Sequence, residues 1–450
     1  MNTVLTGKTR KANVSFRFGG LGEQGNGVLG LTSSKNFYCD NGAVRTVCTA
    51  PVLFDDGEKA LCSMFEPTSL RRLKRYDATG KTYSTHICGM AETGAVYGQK
   101  DAAKPVYTLL LGDIGFGDFI SFTDRNFNFW AAAFGDKKCA LIDSEMNVIT
   151  LDIEQPSGAG CYFKHRLFVG TKPSTLVYSA VDDFTNFTNS LTEGGEISLP
   201  NCGGEIVAMR TFQDALYLFF EYGIVKMKVS GLPKEFSTEK MEYRGGKIFG
   251  RTVCVGENAV FFMTGDGLYR LDGRGVKEVC RGVVKIPHGE TGKEGAAVWK
   301  GKAFIRYQTK EGVYEALSIN EDGKTCFYLD DMKGLSQDEG GNAIFKSKSY
   351  NLLRPCDEGN SFNSEAVLRT VETDMGIPKR KLITKIKLWG KGFCILGICE
   401  KGKTKRRVVD FVNGYAELRL NERGEKFSFT IDAAAAAEVR EMTVEMRLPV

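Results

Sequence analysis

The segment Gly397-Ile-Cys-Glu-Lys-Gly402-Lys403-Thr404 matches the spacing of a phosphate-binding loop letter for letter. Such a loop works because a helix begins at the Lys-Thr pair and aims its first amides at the phosphate. Here the chain continues as Lys405-Arg-Arg-Val-Val-Asp-Phe-Val, a run with strand character, so the spacing predicts a hairpin with its turn at Glu-Lys-Gly-Lys. The same stretch gathers Lys401, Lys403, Lys405, Arg406 and Arg407. Those cations could meet nucleic acid, in a weak contact with DNA, or an acidic protein surface, but clustered Lys on a turn needs no partner and a solvated tip is the ordinary reading.

Other chemistry-bearing groups are scattered. His86, His165 and His288 are the three histidines, and none stands at metal-ligand spacing from another His or from a Cys. Cys394 and Cys399 lie on one predicted strand without a second pair to complete a site, which makes them core thiols. Tyr76-Asp77-Ala-Thr-Gly80-Lys-Thr82 and Asn320-Glu-Asp322-Gly323-Lys-Thr325 are reminiscent of the Asp-box turns of sialidase-type propellers, but the spacing and closing aromatic differ, so both are predicted to be plain hairpin turns. Trp130, Tyr162 and Trp299 are aromatics that could stack on a sugar, with core packing as their commoner use. Neither a Gly-x-Ser-x-Gly elbow nor a Cys/His arrangement stands out, and 55 Asp and Glu are too many to pick a hydrolytic pair by spacing. The expectation is therefore a protein that is not an enzyme, with no catalytic residue, no cofactor and no metal site; the alternative is a carbohydrate-binding or glycoside-hydrolysing propeller.

The elements that would position any site are strands. Runs such as Ala303-Phe-Ile-Arg-Tyr and Leu216-Tyr-Leu-Phe-Phe are short, aromatic and β-branched, and Gly or Asp closes them within a few residues. The 450 residues carry 52 Gly against 11 Pro, a balance suited to many tight turns. Thirteen Cys, an odd number without a C-x-x-C pair, predict core thiols in a reducing compartment. The N-terminus has no apolar leader and no run of 18 apolar residues occurs, so neither secretion nor membrane insertion is expected. A net charge of +5 gives no dominant nucleic-acid footprint.

A strand-turn-strand unit recurs from His165, Asp214, Asn258 and Gly301, at intervals of 49, 44 and 43 residues. That interval is the length of a four-stranded propeller blade, and stacking blades around an axis buries faces that one small sheet cannot cover alone. The expectation is an all-β chain: a β-propeller of five to seven blades within residues 1–345, then a small β-sandwich over 346–450, where longer alternating strands such as Lys381-Leu-Ile-Thr-Lys-Ile-Lys-Leu-Trp begin.

Four segments carry a resemblance. Asn36-Phe-Tyr38-Cys-Asp40-Asn-Gly42 is similar to an opening Asn-x-Tyr-x-Asp-x-Gly, although Arg45-Thr-Val-Cys-Thr-Ala-Pro51 replaces the usual Arg-Pro-Gly that ends it. Leu176-Val-Tyr-Ser-Ala-Val-Asp-Asp-Phe-Thr-Asn-Phe and Val260-Phe-Phe-Met-Thr-Gly-Asp-Gly-Leu-Tyr-Arg-Leu look like two blade patterns, and Lys379-Arg-Lys-Leu-Ile-Thr-Lys-Ile like the strand opening a terminal sandwich. Together they resemble the propeller-bearing structural proteins of tailed bacteriophages, the tail-accessory and head-tail connector components. The resemblance implies an architectural role in a virion assembled in the bacterial host cytoplasm. It also implies a homo-oligomeric ring with portal, adaptor or tail proteins as partners, no membrane contact and no catalytic residues.

Overall fold

The computed structural model describes residues 9–449 apart from 24–26, 55–58, 61–66, 78, 103–105, 189–192, 286, 292–293, 321–322, 324–325, 330–333, 338–341, 347–351, 357–359 and 362–364. The chain divides into two compact units. One holds Pro51–Ala316 and Met332–Arg354; the other holds Met1–Ala50, Leu317–Asp331 and Pro355–Val450.

The first unit is a seven-bladed propeller. The inner strands are Pro67–Asp77, Gly117–Thr123, Pro156–Phe163, Ile206–Phe212, Cys254–Val255, Gly295–Trp299 and Gly334–Gln337, for blades 1 to 7 in chain order. Blades 1 to 5 are four-stranded antiparallel meanders running outward from them. Each inner strand packs on the next, and that of blade 7 packs on that of blade 1, so the ring closes. Closure leaves the inner strands only short edges, protected around the axis.

The repeats visible in the sequence are the second and third strands of blades 3 to 6, for example Arg166–Thr171 with Thr175–Tyr178 and Ala215–Phe220 with Gly223–Lys228. The apolar runs of the second strands follow from burial on both faces. In Ala215–Phe220 all six residues are buried. Leu216, Leu218 and Phe220 join a core shared with blade 3, whereas Ala215, Tyr217 and Phe219 join one shared with blade 5. Blade 2 divides likewise, with Ala131 and Ala133 toward blade 1 and Ala132 and Phe134 toward blade 3. Period two therefore survives as a choice between two cores rather than between core and water.

The second unit is built on the 20-residue strand Lys381–Glu400. One side of it pairs with Lys403–Asp410 and Tyr415–Gly424, the other with Ser428–Ala433 and Ala437–Pro449. The bend that lets one strand serve both ladders falls at Gly390–Gly392: a Cβ on Gly390 would stand 2.0 Å from the Glu438 carbonyl oxygen, and Gly392 has a φ of 78°. Thr9–Leu21 pairs antiparallel with Ala437–Pro449 and, at its far end, parallel with Val28–Lys35. Val28–Lys35 pairs with Ala366–Thr370, and that strand with Ser428–Ala433, so the ladders close into a barrel-like sandwich. Phe16, Phe18, Leu29, Ile386, Leu396, Phe429, Ile431 and Val444 fill it.

The all-β expectation of a propeller followed by a C-terminal sandwich matches this architecture, with the blade count at seven. The division of the chain differs from the expected 1–345 and 346–450. Residues 1–50 and 317–331 group with the C-terminal sheet, because Thr9–Leu21 finds its ladder partner in the last strand of the chain, a pairing that local patterning does not encode.

Candidate functional site

The inner strands of the propeller surround an axial cavity of about 270 Å³. Apolar and polar residues mix on these strands, and nearly every blade sends a polar group inward. Blade 1 supplies Ser69 and Arg71, blade 2 Asp118, blade 4 Arg210, the turn Gly250–Thr252 before blade 5 Arg251, the approach to blade 6 Glu294, and blade 7 Gln337.

Several of these groups bond to neighbouring blades around the axis, mostly through backbone atoms. The Arg71 guanidinium donates to the Gln337 carbonyl of blade 7 at 2.8 Å and to the Phe119 carbonyl of blade 2, and Ser69 Oγ donates to the same Phe119 oxygen at 3.3 Å. Asp118 accepts from the Gly160 amide of blade 3 at 3.3 Å. It also receives a two-pronged contact from Arg210, Nη1 to Oδ2 at 3.1 Å and Nη2 to Oδ1 at 3.0 Å. Arg210 Nε goes on to the Val253 carbonyl, at 3.0 Å, on the way into blade 5. The Arg251 amide donates to Glu290 in the connection to blade 6 at 3.2 Å, and Gln337 Nε2 returns from blade 7 to the Ala296 carbonyl of blade 6. A circuit of hydrogen bonds thus runs around the ring.

Electrostatics follow the same logic. Burial alone would lower the Arg210 pKa, but Asp118 outweighs it and the net shift is upward, so the guanidinium keeps its charge. Burial depresses the Arg251 guanidinium, against the pull of Glu290, Glu294 and Asp118, and its plane lies 5.0 Å over the Phe116 ring at one mouth of the channel. Cys161, the thiol lining the cavity, is pushed upward by burial with Asp118 adding to it, which keeps it protonated and a poor nucleophile. The Asp118 and Arg210 charges neutralise one another, and the arrangement fastens blades together.

Residues singled out in the sequence fall elsewhere. The segment resembling a phosphate-binding loop is the hairpin between Lys381–Glu400 and Lys403–Asp410, with Glu400 opposite Lys403 and the two-residue turn Lys401 (φ 48°) and Gly402 (φ 78°). No helix starts there, so the amides have no phosphate to cradle. His86 is buried between Ser84 Oγ and the Gln99 carbonyl, both at 3.0 Å. His165 contacts Tyr162 Oη at 3.2 Å and Asp182 at 3.3 Å, and His288 is exposed. Among the described residues no group of three His, Cys, Asp or Glu could hold a metal ion. Cys394 and Cys399 are both buried, and burial pushes Cys394 up to about 12.

Of the aromatics, Trp130 donates its Nε1–H to Asp124 at 3.1 Å and Tyr162 stacks on Phe122 with centroids 4.3 Å apart, both packed against the core between blades 2 and 3. Trp299 is 9% exposed in blade 6, so the three form no common platform. Asp77 accepts from the Thr79 amide at 2.9 Å in an ordinary hairpin turn, while Asp322 and Thr325 of the other Asp-box-like segment lie outside the described residues. The axial Asp118 and Arg210 were missed; their available signal was a charge interrupting an apolar inner strand, as in Ile206-Val-Ala-Met-Arg-Thr-Phe.

No protein-family profile and no curated protein matches the sequence. Several solved structures are similar in fold. Virginiamycin B lyase from Staphylococcus aureus shares 10% identity at a TM-score of 0.42 over 63% of this chain and 94% of its own. The Pan2 WD40 domain of Neurospora crassa shares 6% at 0.38 over 64% and 88%. BBS1N, solved in complex with ARL6DN, shares 10% at 0.44 over 69% and 98%.

Proposed function

We propose that this chain is a non-enzymatic structural protein of a tailed phage or prophage virion, one subunit of a head-tail connector or tail ring with other virion proteins as neighbours. The observation that carries the non-enzymatic part is the axial circuit. The concave site where a propeller would be expected to bind a small molecule is occupied by side chains whose donors and charges are spent on adjacent blades, Arg71 on blades 2 and 7 and Arg210 on Asp118. The virion assignment rests on the sequence segments of the opening strands, two blades and the terminal sheet, and it predicts a closed oligomer, because head-to-tail contacts that close make rings.

Light scattering of the purified protein, with negative-stain images of the same peak, tests this reading. Discrete multi-copy rings, alone or on addition of portal or adaptor proteins, are the expected result. A strict monomer at high concentration with those partners present overturns it.

A further inference from the structure

We propose that the free edge of Lys403–Asp410 docks an acidic, extended segment of a partner protein, which adds to the sheet as a further strand. Among the described residues Lys403–Asp410 is hydrogen-bonded on one side only, to Lys381–Glu400. Its other side presents unpaired backbone donors and acceptors, the template used in strand addition. Six consecutive residues, 403–408, are exposed, so here neither face of the strand is covered.

Charge selects the occupant. Alternation places Lys403, Lys405 and Arg407 on one face, about 7 Å apart along the strand. Lys405 reaches Glu422 at 2.7 Å and Arg406, on the opposite face, lies 3.7 Å from Asp432, whereas Lys403 has no acidic partner among the described residues. A strand with a carboxylate at every second position meets that row in register. A second copy of the same strand does not, since pairing this edge with itself sets Lys and Arg against Lys and Arg. On the other face Val408 (59% exposed) and, diagonally across the ladder, Phe393 (49% exposed) offer an apolar contact at the strand's end. Duplex DNA fits less well, because Arg406 points away from the Lys403 face and the edge groups would go unused.

The inference holds whether or not the chain is a virion component. Its test uses the full-length protein and two fluorescein-labelled probes, a peptide of alternating Glu and Val and a DNA duplex. Anisotropy is read alongside hydrogen exchange of residues 403–410. The acidic peptide should bind, the exposed pair of reversals K403E/R407E should weaken it about tenfold or more, and bound peptide should slow amide exchange within 403–410. Absence of peptide binding overturns the proposal. So does binding without amide protection, which marks charge attraction alone, and so does DNA binding that is tighter than peptide binding and lost in the same variant.

Discussion

Replacing Arg210 by Met strands Asp118. The fork between them supplies two charge-assisted contacts at 3.1 and 3.0 Å, and the remaining partner of Asp118 is the Gly160 amide at 3.3 Å. Removing one member of a fully buried pair costs about 3–5 kcal/mol. Arg210 and Asp118 keep 19% and 17% of their side-chain surface exposed, so water recovers part of the loss. Arg210→Met should therefore destabilise the propeller by about 2–3 kcal/mol. Neutralising the stranded carboxylate in D118N/R210M should restore about half of that, a coupling of about 1–2 kcal/mol. Urea unfolding followed by tryptophan fluorescence measures it, in a Trp389→Phe background so that Trp130 and Trp299 report on the propeller. If R210M shifts stability by less than about 0.5 kcal/mol, or if the double variant is the sum of the singles, the axial circuit is not what ties these blades.

Three further outcomes are expected. Asp124 and Asp143 build the same turn, each accepting from the amides two and four residues on and from the following Asn side chain, and each sets a bulky residue at positive φ. Phe127 is 81% exposed and Met146 is 2% exposed, so Phe127→Asn should stabilise by about 0.5–1 kcal/mol by relieving the left-handed backbone, whereas Met146→Asn should destabilise by about 2 kcal/mol or more through lost packing; thermal melts compare them. Gly160→Ala would place its Cβ 2.2 Å from the buried Phe134 ring and should cost about 1–3 kcal/mol in the same urea assay. Burial would raise the Glu438 carboxyl, but Arg440 and Arg45 outweigh it and hold it below its ordinary value. With the folded pKa depressed, its stabilising contribution is complete above the unfolded pKa of about 4.3 and is lost as pH falls through the folded value. An acid titration of Glu438→Gln should therefore be flatter below about pH 5 than that of the parent, and parallel curves would contradict the Arg45–Glu438 link.

What could be read from the chain depended on how local the cause was. The hairpin at Lys401-Gly402 was legible because two residues at positive φ between alternating strands are a short-range signal. Blades 3 to 6 were legible because their second strands are buried on both faces and joined to the third by tight turns, which writes apolar runs at a near-constant interval. Blade 1 was legible only as strands over residues 70–83 without a clean repeat, because the charges of Leu70-Arg-Arg-Leu-Lys-Arg mask the pattern although Leu70 and Leu73 are buried. Blade 7 hid because residues 317–331 leave for the other unit before its first strand begins, which breaks the interval.

Pairings that join distant stretches left no local trace. Ser15 bonds Thr443 across 428 positions, and Arg210 reaches Asp118 across 92. Each looks unremarkable in its own segment, and only closure of the sheet or of the ring makes it necessary. The inner strands carry this dependence furthest. Asp118 would be solvated in an isolated blade 2 and becomes an expensive charge only once the ring closes around it, since burying it without a partner costs more than one hydrogen bond returns. Its presence there makes sense only if blade 4 is already in place to deliver Arg210, so the circuit rewards the closed ring over any partial stack of blades. On this argument the R210M loss should shrink in a fragment that cannot close, such as one lacking blade 7, and a loss as large in the open fragment would show that the pair acts locally instead.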